Sequence, residues 1–257
     1  MEIIIISFVA LAASLLTFFS GFGLGTILTP FLALFFPIEV AIALTGVVHL
    51  LNNFFKIALV GEHINWKIGL KFSITAVIGA FVGAKLLTHF NEDIVLISYS
   101  LGGRPFSITL LKLLVAILIL FFSLFEIIPF FRKIEFSENK SYVGGLIIGF
   151  FGGLSGNQGA LRSAFLIRYK LPKEVFIATG VLIACFIDVT RLSVYYRNSA
   201  NLRIEENLPL LVSAVLSAFV GAYFGSKLLK KVTLNFVQKI ASVMIISIAV
   251  LLGMGIL

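Results

Sequence analysis

Apolar residues run along this chain in long blocks, broken by short polar or glycine-rich stretches. Blocks of roughly 20 apolar residues are the length a helix needs to cross a bilayer. They occupy residues 3–20, 38–60, 67–90, 107–129, 142–154, 173–196, 207–229 and 234–256. The pattern predicts an all-α polytopic membrane protein of about eight transmembrane segments. Two further apolar pieces, 26–36 and 160–168, are too short to span. Each follows a glycine-rich break, at 20–25 and 152–159, so each half is expected to hold a broken helix. Non-helical backbone at membrane depth survives only where protein or water covers it, which makes the breaks the first places to seek a pathway.

The two parts of the chain resemble each other. Residues 19–47 align with 151–181, with a two-residue insertion, and both stretches end in Thr-Gly-Val. Ala-Phe-Val-Gly-Ala occurs at 80–84 and again at 218–222; Gly-Ala-Lys-Leu-Leu at 83–87 answers Gly-Ser-Lys-Leu-Leu at 225–229. Three matches in one order argue for duplication. The expected organisation is a first transmembrane repeat over 1–130, a charged linker over 131–141 on the cytoplasmic or external side, and a second repeat over 142–257. Duplicated halves with broken helices point to a secondary transporter. Parallel and inverted repeats both remain open, as does the side on which the N-terminus lies. Residues 91–106 read as the longest loop of the first half, with Gly102, Gly103, Arg104 and Pro105 as turn signals.

Composition sharpens this. The 257 residues are 60% hydrophobic and 12% charged, about half the charge of a soluble domain. That excludes a soluble enzyme, a disordered tail and a collagen-like fibre. The net charge of +8 is read as basic loops against an anionic membrane surface rather than as a nucleic-acid site. The single Cys185 cannot form an intrachain disulfide. Residues 3–20 lack a basic n-region and a small-residue cleavage site, and read as a retained helix.

Candidate chemistry sits at the breaks and on two helices. In the first break Gly21, Gly23, Gly25 and Thr26 let backbone N–H groups turn toward one point ahead of a helix N-terminus. Gly21 and Gly25 also form a GxxxG packing step, an equal reading. The second break offers Ser155, Gly156, Asn157, Gln158 and Gly159, then Arg162, where the first half carries an aliphatic residue. An intramembrane arginine is costly and marks a candidate anion site, unless it snorkels to the interface. Thr45, His49, Asn52/Asn53 and Lys56 form one polar stripe on the helix 38–60, with Lys56 read as a helix-end anchor. Asp188 and Arg191 lie three apart and can pair. Thr45, Asn53 and Thr179 are expected to line the path with the breaks. His49, Asp188 and Arg191 are the candidates for proton coupling. Gly79/Gly83, Gly221/Gly225 and Gly145/Gly149/Gly153 are read as packing faces.

No His-Glu-x-x-His, Cys-x-x-Cys or Walker A pattern occurs, so no metal, cofactor or ATP drive is expected. Gly153-Leu154-Ser155-Gly156 is superficially like an intramembrane serine-protease motif. However, His49, His63 and His89 all lie upstream of it, so an enzyme is not expected.

The ordered set SGFGLGTILTPFLALFFP at 20–37, Ala41–Gly46, Ile64–Gly69 and the Gly79/Gly83 helix, repeated in the second half, resembles the TauE/SafE family of sulfite exporters. The resemblance covers nearly the whole chain. It implies an all-helical, multi-pass carrier in the cell (inner or plasma) membrane. The implied cargo is a small sulfur-containing anion such as sulfite, thiosulfate or an organosulfonate, with protons or the membrane potential as drive. The chain departs from the family pattern where Asn157 and Gln158 interrupt the glycines, Ser163-Ala164 replace a proline and Arg162 is added. The substrate can therefore differ from sulfite. The partners expected are membrane lipid, a small anion and protons, with a homo-oligomer left open and no nucleic acid. The alternative is a non-transport scaffold or accessory subunit of a membrane complex.

Overall fold

The computed structural model describes residues 2–20, 23–89, 94–128, 140–198, 207–228 and 235–256. The helices in chain order are α1 (Glu2–Ser20), α2 (Leu24–Leu32), α3 (Ile38–Val60), α4 (Trp66–His89), α5 (Leu110–Ile127), α6 (Ser141–Ser155), α7 (Gly159–Leu166), α8 (Lys173–Asn198), α9 (Leu208–Leu228) and α10 (Asn235–Gly253). Eight of these match the long apolar blocks to within about three residues at their ends, and α2 and α7 are the short pieces after the breaks. The expected linker falls outside the described residues except for Lys140 and Ser141, and α6 begins at Ser141.

Among the described residues, four helices are long and apolar enough to span a membrane: 38–63, 66–89, 173–197 and 208–227. The stretches Glu2–Phe18, Leu110–Leu124 and Ser141–Ser155 are shorter apolar helices. The burial pattern is the reverse of a soluble protein's. Ile74, Ile78 and Phe81 on α4, and Val212, Leu216 and Val220 on α9, are exposed. Lys56, Arg162, Asp188 and Arg191 are buried. An apolar exterior around a charged interior is the arrangement a lipid solvent selects.

The helix faces pack through glycine. A methyl added at Gly79 or Gly83 of α4 would run into the carbonyl oxygens of Leu146 and Phe150 on α6. One at Gly149 or Gly153 would run into those of Ala76 and Ala80 on α4. Gly221 of α9 meets the carbonyl of Leu11 on α1 in the same way. Small residues let backbones approach this closely, and van der Waals contact then replaces the missing hydrophobic drive. α4 packs on α6, and α9, which carries the second Ala-Phe-Val-Gly-Ala, packs on α1. α3 and α8, which carry the two Thr-Gly-Val motifs, pack on each other.

One expectation is corrected. Residues 95–109 form no loop but a two-stranded antiparallel hairpin, β1 (Val95–Leu101) and β2 (Arg104–Thr109). Residues 107–109, read as the start of a helix, belong to β2. Gly102 and Gly103 both have positive φ, 60° and 77°, as the tight two-residue hairpin turn requires. Tyr99 stacks on Phe106 across the strands, and its hydroxyl donates to the Met254 carbonyl at 2.6 Å. Thr109 then caps α5 by accepting from the Lys112 N–H.

Candidate functional site

The two breaks meet. A Cβ at Gly23 would lie 3.7 Å from the backbone nitrogen of Gly159, and one at Gly25 would lie 3.1 Å from the Gly156 carbonyl oxygen. Gly23 is extended and leads into α2, and Gln158 leads into α7, so two helix N-termini come together. Gly156 ends α6 in the left-handed conformation, φ 78°, its N–H donating to the Gly152 carbonyl. A glycine in that conformation is a common way to terminate a helix. Gly21 lies outside the described residues.

Asp188 is the centre of the buried polar cluster. Its Oδ2 lies 2.6 Å from His49 Nδ1 and accepts from Asn53 Nδ2 at 3.2 Å. Its Oδ1 accepts from Arg191 Nε at 2.9 Å and from Gln158 Nε2 at 3.3 Å. An ionised carboxylate has about four acceptor sites and no donor, so His49 donates from Nδ1 and the carboxylate is filled. The expected Asp188–Arg191 pairing is present, and Asn53, from the other half, reaches the same carboxylate. The chain of contacts continues from Gln158 Oε1 to Arg162 Nη1 at 3.5 Å. α3, α7 and α8 thus share one network.

Two glycines make room for the two arginines. A Cβ at Gly46 would lie 3.3 Å from Arg191 Cζ, and one at Gly180 would lie 3.2 Å from Arg162 Nε. These are the glycines of the repeated Thr-Gly-Val, which gives the repeat a steric reason. Arg191 Nη1 and Nη2 and both amide atoms of Asn157 are buried without a hydrogen-bond partner among the described residues.

The other expected residues divide. Thr26 and Thr45 are buried beside the first break, where the Thr45 methyl is 3.6 Å from the Cβ position of Gly25. Ser155 is committed to backbone: its hydroxyl donates to the Phe151 carbonyl and accepts from the Asn157 N–H. Thr179 accepts from the Asn65 N–H at 3.0 Å, which ties α8 to the start of α4. Among the described residues, no hydrogen bond joins Thr179 to the Asp188 cluster. Cys185 is buried, and Tyr195 donates to the Gly153 carbonyl. Among the described residues, no three His, Cys, Asp or Glu side chains are grouped to hold a metal.

Lys56 corrects the sequence reading. It is no interfacial anchor: it is 5% exposed, with Nζ 5.4 Å above the Phe18 ring. Arg162 is 7% exposed and so does not snorkel out to solvent. Both cations line one cavity of about 30 Å³, with His49, Asn53, Thr17 and Ser163. Among the described residues neither cation lies within ion-pair distance of a carboxylate. The signal was present in the sequence, since Lys56 continues the stripe through His49 and Asn53. Thr17 and Ser163 carried no such signal.

Broken helices meeting over buried cations, inside an apolar shell, define a helical integral membrane protein built to handle an anion. The family model for Sulfite exporter TauE/SafE matches residues 6–252. The chain belongs to that family, a transporter family rather than an enzyme family, whose members handle sulfur-containing anions. No curated protein and no solved structure matched the chain.

Proposed function

We propose that this protein is a multi-pass secondary transporter of the cell membrane that moves a small sulfur oxyanion by alternating access. The observation that carries the reading is the meeting of the two breaks beside Gln158 and Arg162. N–H groups at the paired helix ends, the unpartnered Asn157 amide and the Arg162 guanidinium together replace the hydration shell of an anion. The halves 1–130 and 142–257 rock about this point, so that the cargo faces one side and then the other. His49 and Asp188 are the coupling pair. A proton placed on the Asp188 carboxylate turns one acceptor site into a donor and breaks the contact with His49 or Arg191, which ties the rocking to protonation.

The test is flux in proteoliposomes holding this protein alone. Sulfite, thiosulfate, sulfate and a short organosulfonate are offered with and without a pH gradient. Saturable flux of at least one is expected, and it should fall at least ~100-fold in Arg162→Ala, the scale of removing a buried charged partner. The variant should remain monodisperse. Normal uptake by Arg162→Ala overturns the role of the arginine. No flux of any anion by folded wild-type protein favours the accessory-subunit alternative.

A further inference from the structure

We propose that the cavity between Lys56 and Arg162 is the cargo site, and that it selects compact, doubly charged oxyanions over singly charged sulfonates bearing a tail. The inference rests on the transport reading for its name as a cargo site. The binding chemistry stands on the geometry.

The first argument is charge. The buried cluster brings together three basic side chains, Lys56, Arg162 and Arg191, and one carboxyl, Asp188. With the three basic groups protonated, Asp188 ionised and His49 neutral, the cluster carries +2, the state that a bound anion favours. Arg191 is matched by Asp188 at 2.9 Å. The excess therefore falls on Lys56 and Arg162, the two cations that line the cavity. Unpaired buried charge is strongly unfavourable. A dianion cancels both charges, whereas a monoanion leaves one exposed to a low-dielectric surround.

The second argument is shape. The cavity volume is about 30 Å³, one fifth of the ~150 Å³ cavity that admits benzene. A compact sulfur oxyanion demands far less added space there than an anion bearing an aromatic or long aliphatic tail. The rest of the lining includes Phe18, Leu166, Phe176, Ile177 and Val181, so a tail would meet hydrocarbon.

The third argument is donor chemistry. The guanidinium presents a planar fork that matches two oxygens, and the ammonium is a compact point charge for a third. Asn53 and Thr17 are neutral polar side chains of the same lining. Gly180 is what lets the Arg162 stem lie close to α8, because a side chain there would sit 3.2 Å from Nε. His49 and Asn53 line the cavity and also touch Asp188, so cargo binding and the coupling pair share two side chains.

The experiment is titration calorimetry on the purified full chain in detergent, at constant ionic strength. The probes are sulfate, thiosulfate, methanesulfonate and benzenesulfonate. Wild type is expected to bind the two dianions at least tenfold tighter than methanesulfonate, with no benzenesulfonate binding. Lys56→Gln should weaken dianion binding at least tenfold and change methanesulfonate less than threefold, which erases the preference. Lys56→Met, which keeps the apolar stem over Phe18, should do the same, and Lys56→Arg should restore the preference. Equal wild-type affinity for sulfate and methanesulfonate overturns the proposal without any variant. Dianion affinity within twofold of wild type in folded Lys56→Gln also overturns it. Its failure is separable from that of the transport reading. Lys56-dependent dianion binding without proteoliposome flux sinks transport alone. Saturable flux with an unchanged dianion preference in Lys56→Gln sinks this site alone.

Discussion

The two broken helices bend the chain in the same way and do different work. At the first, Gly23 and Gly25 bring backbone close, and α2 behind them carries no charge. At the second, the same close approach carries Asn157, Gln158 and Arg162. In the repeat register that pairs the two Thr-Gly-Val motifs, the counterpart of Arg162 is Leu28, which is fully buried. The first break supplies space and N–H groups, and the second supplies charge and amides. The close approach thus occurs at both breaks, while the charge is placed at one. The first half restores the balance from elsewhere, through His49, Asn53 and Lys56 on α3.

That asymmetry can be broken in order of effect. Asp188→Ala takes the shared acceptor from His49, Asn53, Gln158 and Arg191 at once. A loss of about 3–5 kcal/mol is expected, from stranding buried partners, read as a large fall in the unfolding midpoint. Arg162→Leu makes the second break a copy of the first. Flux should fall ~100-fold, or about 2.7 kcal/mol in barrier terms, with the midpoint held or raised. Retained flux would mean that the charge difference between the breaks is irrelevant. Gly156→Ala imposes a side chain at φ 78° and 2.7 Å from Arg191 Nη1, so about 1–3 kcal/mol is expected. Gly25→Ala meets the Gly156 carbonyl oxygen at 3.1 Å and the Thr45 methyl at an ordinary 3.6 Å, and should cost about 1 kcal/mol. Equal losses at the two glycines would erase the contrast. Thr29 on α2 is buried with its hydroxyl unpartnered among the described residues. Thr29→Val should therefore be near neutral or slightly stabilising, within ~0.5 kcal/mol by thermal melt.

Much of this was legible before any coordinates. Long apolar blocks identify helices because a lipid solvent leaves few alternatives, and glycine clusters mark the breaks because little else terminates a helix so abruptly. Asp188–Arg191 and the stripe through His49 and Asn53 follow from helical spacing alone. The hairpin did not follow. Gly102-Gly103 marks its turn, but the strand signal is confined to the short alternation Ile97-Ser98-Tyr99-Ser100-Leu101. Lys56 was assigned by its place near a helix end, when its spacing from Asn53 set its direction. That Thr179 serves the start of α4, and that Thr17 reaches the cavity from α1, depends on which helices pack together. Such pairings are carried by residues far apart in the chain, and no local pattern records them.

The reciprocal glycine seams bear on how the protein is made. Each half lends one helix to the other: α4 lies against α6 and α9 against α1. A ribosome delivers the first half while the partners of α1 and α4 are still unsynthesised, so two closely fitting edges wait in the bilayer for the rest of the chain. The halves are therefore interlocked rather than merely tethered. Cutting the covalent connection between them would leave one particle, and neither fragment alone would have a finished surface to show to lipid.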